Sequence, residues 1–317
     1  MNSSPTARRF KQIDVFTEQA CLGNALAVVL DADGLDDAAM QRFARWTNLS
    51  ETTFLLPPTD PAADYCVRIF TPGGELPFAG HPTLGSCHAW LEAGGRPRQA
   101  GTVVQQCAKG LVRLERQRAG DKERLAFAAP SMTSAPADPA QVAAVARAFG
   151  LQSSQVLAAQ ANDNGPVWFS LLLESAEAVL NAKPDTATLS RLGLKVGLVG
   201  RYADEAGPPL IGRANREAAA FKSSPSSTVK STTASPLVEV RGFVADSSGV
   251  YEDPVTGSLN ASLAQWLMAS GRLPESYLAS QGTCLGRAGQ VHVRRDASGQ
   301  VWVGGHCISC VNGTVTL

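Results

Sequence analysis

Apolar and polar positions alternate with a period near two through much of the chain, and these runs predict short β-strands. Residues 10–16 and 26–30 form the first two, separated by a Gly23-Asn24 turn. The spacing turns helical over 36–47, where Met40, Phe43, Ala44 and Thr47 share a face and Asp36 and Asp37 stand at the start. Strands are predicted again at 52–56, closed by Pro57-Pro58, and at 65–70. Further runs at 102–107, 111–116 and 124–128 are joined by turns at Lys109-Gly110 and Ala119-Gly120-Asp121. Residues 130–139, rich in Pro, Ala and Ser, read as a linker. A helix at 141–149, strands at 155–161 and 167–173, a helix at 185–192 and a strand at 195–201 follow. Strand 238–244 precedes a helix, and four strands (278–284, 290–295, 301–306, 311–317) close the chain.

Two stretches interrupt this pattern in the same way. Glu252-Asp253-Pro254-Val255-Thr256-Gly257-Ser258 leads into an amphipathic run, 259–269. Asp is a favoured N-cap and Pro a favoured first helical residue, so Asp253-Pro254 reads as a helix start. His81-Pro82-Thr83-Leu84-Gly85-Ser86 reads as a second copy. With Pro82 set on Pro254, Gly85 falls on Gly257, Ser86 on Ser258 and His81 on Asp253. Both copies follow a strand ending in phenylalanine (Phe70, Phe243), and both lead into a helix with a Trp-Leu pair. The pattern predicts two halves of one plan, 1–130 and 131–310, with strand 311–317 joining the first. Unpaired amides and a partial positive charge make each helix start a site for an anion such as a carboxylate. A duplicated unit with no shared site is the plainer alternative.

Composition narrows the function. The 317 residues are 44% hydrophobic and 18% charged, as in globular proteins, and 28 basic residues balance 28 acidic ones. That balance argues against nucleic acid or a membrane surface as partner. No run approaches the length of a membrane span, and residues 1–9 lack a signal-peptide core, so a cytoplasmic location is expected. Seven cysteines at irregular spacing do not read as a disulfide framework. Cys307-Ile308-Ser309-Cys310 has a metal or redox spacing but no second ligand cluster, and it reads as part of two neighbouring strands. Residues 222–235 are mostly Ser, Thr, Pro and Lys and predict a loop.

Several residues can carry chemistry. Glu51 ends a polar turn before an apolar strand, where partial desolvation would raise its pKa toward acid–base use; a solvated strand-end glutamate is the alternative. Asp253 can be an N-cap and nothing more, and His81 a helix-start residue satisfied by backbone. As counterparts facing one cleft they could instead hold a proton together. Gly80 and Gly257 would let a ligand approach the backbone closely. Ser258 and Ser86 offer first-turn hydroxyls to a carboxylate, and Glu75 and Glu252 read as supporting or structural acids. A Gly-x-Ser-x-Gly elbow, a Walker loop and a Rossmann fingerprint are all missing from the sequence, so the mechanisms they serve find no support.

At these residues the chain resembles the phenazine-biosynthesis PhzF-like family. The resemblance is carried by Asp14-Val15-Phe16-Thr17 with Gly23-Asn24, Leu49-Ser50-Glu51-Thr52, Arg68-Ile69-Phe70-Thr71-Pro72 and Glu75-Leu76-Pro77-Phe78-Ala79-Gly80-His81-Pro82-Thr83. It continues at 252–258, Gln281-Gly282 and Gly286-Arg287-Ala288-Gly289, and the Ser/Thr-rich stretch departs from it. The resemblance implies an α+β, diaminopimelate-epimerase-like fold: two halves, each a mostly antiparallel sheet around a central helix. It further implies a site between the halves and a homodimer. Epimerases of that fold use two opposed cysteines, and neither helix start here carries one. The resemblance gives the proton shuttle to Glu51, with His81 and Asp253 beside it and Ser50, Gly80, Gly257 and Ser258 binding substrate. The expected activity is a cofactor-independent isomerase acting on a small carboxylate. An epimerase or racemase, or a non-catalytic binding protein of the same fold, is the alternative.

Overall fold

The alternating runs become strands, and the two interruptions become the helices around which those strands wrap. The computed structural model describes residues 6–119, 122–203, 235–246 and 249–317. The first half contains β1 (Ala7–Val15), β2 (Asn24–Val29), α1 (Asp37–Thr47), β3 (Glu51–Leu56), β4 (Tyr65–Thr71), β5 (Gly74–Leu76), α2 (Gly80–Glu92), β6 (Thr102–Cys107), β7 (Gly110–Ala119) and β8 (Lys122–Ala128). Next come β9 (Thr133–Pro136), α3 (Pro139–Ala148), β10 (Val156–Asp163), β11 (Val167–Leu173), α4 (Ala176–Asn181), α5 (Thr186–Leu192) and β12 (Lys195–Arg201). The chain closes with β13 (Val238–Asp246), β14 (Gly249–Asp253), α6 (Gly257–Ala269), β15 (Ser276–Gln281), β16 (Gly289–Arg295), β17 (Val301–Gly305) and β18 (Cys307–Thr316). The loop expected at 222–235 lies, up to residue 234, outside the described residues, as do Gly120 and Asp121 of the predicted turn.

Strand pairing repeats itself from one half to the other. In the first half β1–β2 is antiparallel, β2–β3 parallel, β3–β4 and β4–β5 antiparallel, β4–β6 parallel, and β6–β7 and β7–β8 antiparallel. The same sequence of pairings runs through β10, β11, β12, β13, β14, β15, β16 and β17. β8 pairs antiparallel with its own counterpart β17, which joins the halves. Each half also lends a strand to the other. β9, inside the stretch read as a linker, pairs with β10, and β18 pairs with β1 from Cys307 onward. Cys307 and Cys310 therefore lie in a single strand, not in two. Among the described residues no group of three or more His, Cys, Asp or Glu side chains is placed to hold a metal ion. No helix among them is long and apolar enough to cross a membrane.

The repeat has a different register from the one read in the sequence. Phe70 stands opposite Glu75 as Phe243 stands opposite Glu252, and α2 and α6 start at Gly80 and Gly257. His81 therefore corresponds to Ser258, and Asp253 to Leu76. Aligning the prolines slid the copies by five residues, because Pro82 lies inside its helix and Pro254 precedes one. Asp253 is accordingly the last residue of β14; Thr256 occupies the N-cap.

The run expected to be amphipathic is a central helix. Leu259, Asn260, Ala261, Ser262, Leu263, Ala264, Leu267 and Met268 of α6 are all buried, and α2 is likewise buried from Gly80 to Cys87. A helix covered on nearly every side has no polar face to solvent. One core includes both helices and β8 and β17, while smaller cores lie under α1 and beneath α3, α4 and α5.

The two helix starts touch. A Cβ at Gly257 would lie 3.0 Å from the Gly80 Cα and 3.3 Å from both the Gly80 carbonyl carbon and the His81 nitrogen. Those are backbone atoms of a second buried helix, so no side chain can swing aside. Gly257→Ala, which at an open helical position would help by up to about 1 kcal/mol, is expected to destabilise by about 1–3 kcal/mol through overpacking. Urea unfolding measures this, and an unchanged or raised midpoint contradicts the contact.

Candidate active site

Glu51 reaches its place through the end of α1. Asn48 adopts a left-handed conformation (φ 54°), and its N–H caps the Ala44 carbonyl. Asparagine enters that region more readily than most residues. Leu49 and Ser50 then lead into β3, with the Thr47 and Thr52 hydroxyls 2.8 Å apart across the turn. Ser50 and Glu51 line a cleft of about 640 Å³ together with Asp253, Thr256 and Ser258. The Glu51 side chain is 15% exposed.

His81, in the first turn of α2, is 4% exposed and stands behind Glu51. Its Nε2 lies 3.4 Å from Glu51 Oε2, and neither atom has a well-formed hydrogen bond within the protein. Burial lowers the histidine pKa to about 3, against a hydrogen bond with the Ala25 backbone that raises it. Burial and the charge of Asp253 raise Glu51 to about 8, while Lys195 works the other way. At neutral pH the pair is therefore an uncharged imidazole beside a carboxyl group that mostly keeps its proton.

Asp253 completes the set. Its Oδ2 accepts from Thr256 Oγ1 (2.6 Å) and its Oδ1 from Asn24 Nδ2 (2.9 Å). Burial raises its pKa to about 6, and these two hydrogen bonds limit the rise. Environments that push two carboxyls apart in this way assign one to carry a proton and the other to stay charged. Asn24 Nδ2 also donates to the Val255 carbonyl (3.0 Å) and comes within 3.5 Å of His81 Nδ1. It thus ties the acid of one half to the histidine of the other. Its own position is set by Asp14, whose buried carboxylate accepts from Gly23 N–H (3.0 Å). Gln281 braces the far side, accepting from Thr256 N–H (3.0 Å) and donating to the Asp253 carbonyl (3.1 Å).

The second half supplies the remaining polar groups. Ser258 Oγ accepts from Trp168 Nε1 (3.1 Å), and the Ser258 carbonyl accepts from Asn164 Nδ2 (2.8 Å). The Ser258 hydroxyl is thereby oriented with its own proton still to give. Neither α2 nor α6 has a side-chain cap, so their first-turn amides lack a side-chain acceptor.

The other residues singled out from sequence are placed differently. Gly80 and Gly257 face each other, so their missing side chains serve the helix contact first and not a ligand. Ser86 is fully buried in α2 and donates to Thr53 Oγ1 (2.9 Å), away from the cleft. Glu75 and Glu252 are each clamped by two hydrogen bonds from an arginine, Arg68 and Arg241, which stacks on Phe70 and Phe243 respectively. They hold the paired hairpins in shape. Asn164, Trp168 and Lys195 join the site without any motif to mark them, and Asn24 and Thr256 lie within motifs that give them no role of their own. The available signal was a polar or charged residue opening an apolar strand, as in Asn24 of β2 and Lys195 of β12.

Comparison with known proteins adds to this geometry. A family model described as phenazine biosynthesis-like protein matches residues 13–313. Over 318 aligned residues the chain is 35% identical to antisense-enhancing sequence 1 of Schizosaccharomyces pombe, covering 97% of this chain and 98% of that one. A 77-residue segment is 54% identical to the trans-2,3-dihydro-3-hydroxyanthranilate isomerase of Pseudomonas fluorescens, 24% of this chain and 27% of that one. A PhzF-family phenazine biosynthesis protein from Bacillus anthracis matches with a TM-score of 0.77 at 19% identity, covering 98% of this chain and all (100%) of that chain. At that identity the likeness speaks for the fold, which is the diaminopimelate-epimerase-like fold that the sequence motifs implied.

The raised Glu51 pKa has a stability consequence. Between the ordinary carboxyl range and about 8, the folded protein keeps a proton that the unfolded chain has lost. The stability tied to this group is complete at low pH and falls as pH rises through that window. Glu51→Gln removes the dependence. Its Tm relative to the native protein should therefore climb from pH 5 to pH 8.5, by more than about 2 °C. A flat or falling difference in thermal melts contradicts the buried, protonated carboxyl.

Proposed function

This chain belongs to the phenazine biosynthesis-like family, and on that footing we propose that it is an isomerase that moves a proton within a small carboxylate-bearing substrate without a cofactor. The observation that carries the reading is Glu51 at the cleft, with a pKa raised to about 8 and a neutral His81 3.4 Å behind it. A general acid–base group works best when its two protonation states are close in free energy.

The substrate carboxylate is held by the uncapped starts of α2 and α6 and by the Ser258 hydroxyl. Glu51, as carboxylate, takes a proton from carbon. The electron pair left behind spreads into the adjoining double bond. The protonated Glu51 then returns the proton to a second carbon on the same face. One C–H bond breaks, another forms and a double bond shifts, so no oxidant is consumed. Asp253 orients polar substituents of the substrate, and His81, behind Glu51, holds the Glu51 carboxyl in place.

An epimerase would need an acid–base group on each face of one carbon. The counterpart of Glu51 is Lys195 and that of His81 is Ser258, so neither a carboxyl nor a thiol faces Glu51 from the equivalent place. This favours a one-sided shuttle. Cyclic carboxylates with neighbouring hydroxyl or amino groups are the substrates to try, trans-2,3-dihydro-3-hydroxyanthranilate among them.

Incubation of such compounds in D₂O tests the shuttle. The native protein should place deuterium on carbon and shift the double bond, and Glu51→Gln should be slower by about 10²–10⁴. Because the base form is the ionised one, kcat/KM should rise about tenfold per pH unit up to about 8 and level off above it. Equal exchange by both proteins, or a rate that falls across that range, would sink the role given to Glu51.

A further inference from the structure

Lys195 opens β12 where Glu51 opens β3. Trp168 stands beside it in parallel register as Leu26 stands beside Glu51. The next strand agrees: Val196 lies opposite Phe243 as Thr52 lies opposite Phe70. The half-buried lysine lines the cleft with Glu51, Asp253 and Ser258. It is near enough for its charge to act on both carboxyls. Yet among the described residues its ammonium has neither an ion pair nor a hydrogen bond.

The negative groups around it are already engaged. Glu75 is held by Arg68, Asp253 by Thr256 and Asn24, and Glu51 keeps its proton at neutral pH. A half-buried ammonium that finds no partner within the protein has its donors free for a ligand. Lys109, exposed at the β6–β7 turn, brings a second positive charge to the same cleft from the other half. The helix starts and Ser258 already serve one carboxylate, so the lysine answers to a different group.

We propose that the substrate of this cleft is a dianion, whose second anionic group, a carboxylate or a phosphate, is bound by Lys195. The proposal rests on reading the cleft as a substrate site, and it makes Lys195 the residue that selects dianions over monoanions.

Calorimetric titration at pH 7 tests this with two sets of probes. One set is benzoate, isophthalate and 3-phosphonobenzoate; the other is acetate, malonate, succinate and glutarate. At least one dianion should bind the native protein about tenfold more tightly than the monoanion of its set. Lys195→Met should lose that preference and keep its monoanion affinity, whereas Lys195→Arg should retain most of it. A win for isophthalate or for the phosphonate tells carboxylate from phosphate. Removing the lysine leaves Glu51 protonated and makes Asp253 easier to protonate, a change that by itself favours anions. Weaker dianion binding therefore reports the missing contact. Unchanged preference in Lys195→Met, or no difference between dianions and monoanions in the native protein, overturns the proposal. The titration reads binding alone and is repeated in Glu51→Gln, so failure of the isomerase reading would show separately, in the D₂O exchange.

Discussion

The contact between Gly80 and Gly257 is the constraint on which the rest of the molecule depends. Two buried helices meet start to start, backbone against backbone, and a single Cβ at either position would press to 3.0 Å on the Cα of the other helix. The Phe127 ring closes over Gly80, and β8, which carries it, pairs with β17 to join the halves. With the helices held there, the strands leading into them bring Glu51 and Lys195 to one cleft.

Within this near-symmetric frame, chemistry arises where the halves differ. The Arg68–Glu75 and Arg241–Glu252 clamps repeat, down to the aromatic ring beneath each arginine. Such buttresses can be identical because each half needs the same hairpin before its helix. Glu51 against Lys195, His81 against Ser258 and Leu76 against Asp253 are not identical. The cleft consequently has a carboxyl backed by an imidazole on one side and a cation and a hydroxyl on the other. The Asn24 bridge then links Asp253 to the neighbourhood of the histidine of the opposite half, and the charge of Asp253 acts directly on Glu51.

The amino-acid pattern made much of this legible. Alternation located most strands, because side chains on a pleated strand must face core and solvent in turn. The short β5, β9 and β14 escaped it, since three to five residues carry too little periodicity to read. Glu51 and Asp253 stood out as acids next to apolar runs and as members of motifs. The proline-based alignment misled, because Pro at a helix start and Pro before a strand-to-helix turn look alike in one dimension. Ser86 was thereby given a first-turn place that belongs to Ser258's true counterpart, His81.

By itself, then, the sequence determined that the chain is built twice on one plan, where most of its strands lie, and which acids stand next to apolar runs. Those properties are local: they follow from side-chain period, turn residues and chain composition. Only the tertiary structure decided which residues of the two copies correspond and that the paired glycines serve a helix contact. It alone also decided that Lys195 and Asn24 belong to the site and that Glu51 and His81 lie 3.4 Å apart in a desolvated place. Proton affinity depends on burial and on neighbours from distant parts of the chain. The opening stretch of α6 shows the difference. Read alone, its Asp253 is a helix cap. In the fold it is a strand-end carboxylate held by Asn24 and Thr256, lining one cleft with Glu51, a residue about two hundred positions away in the chain.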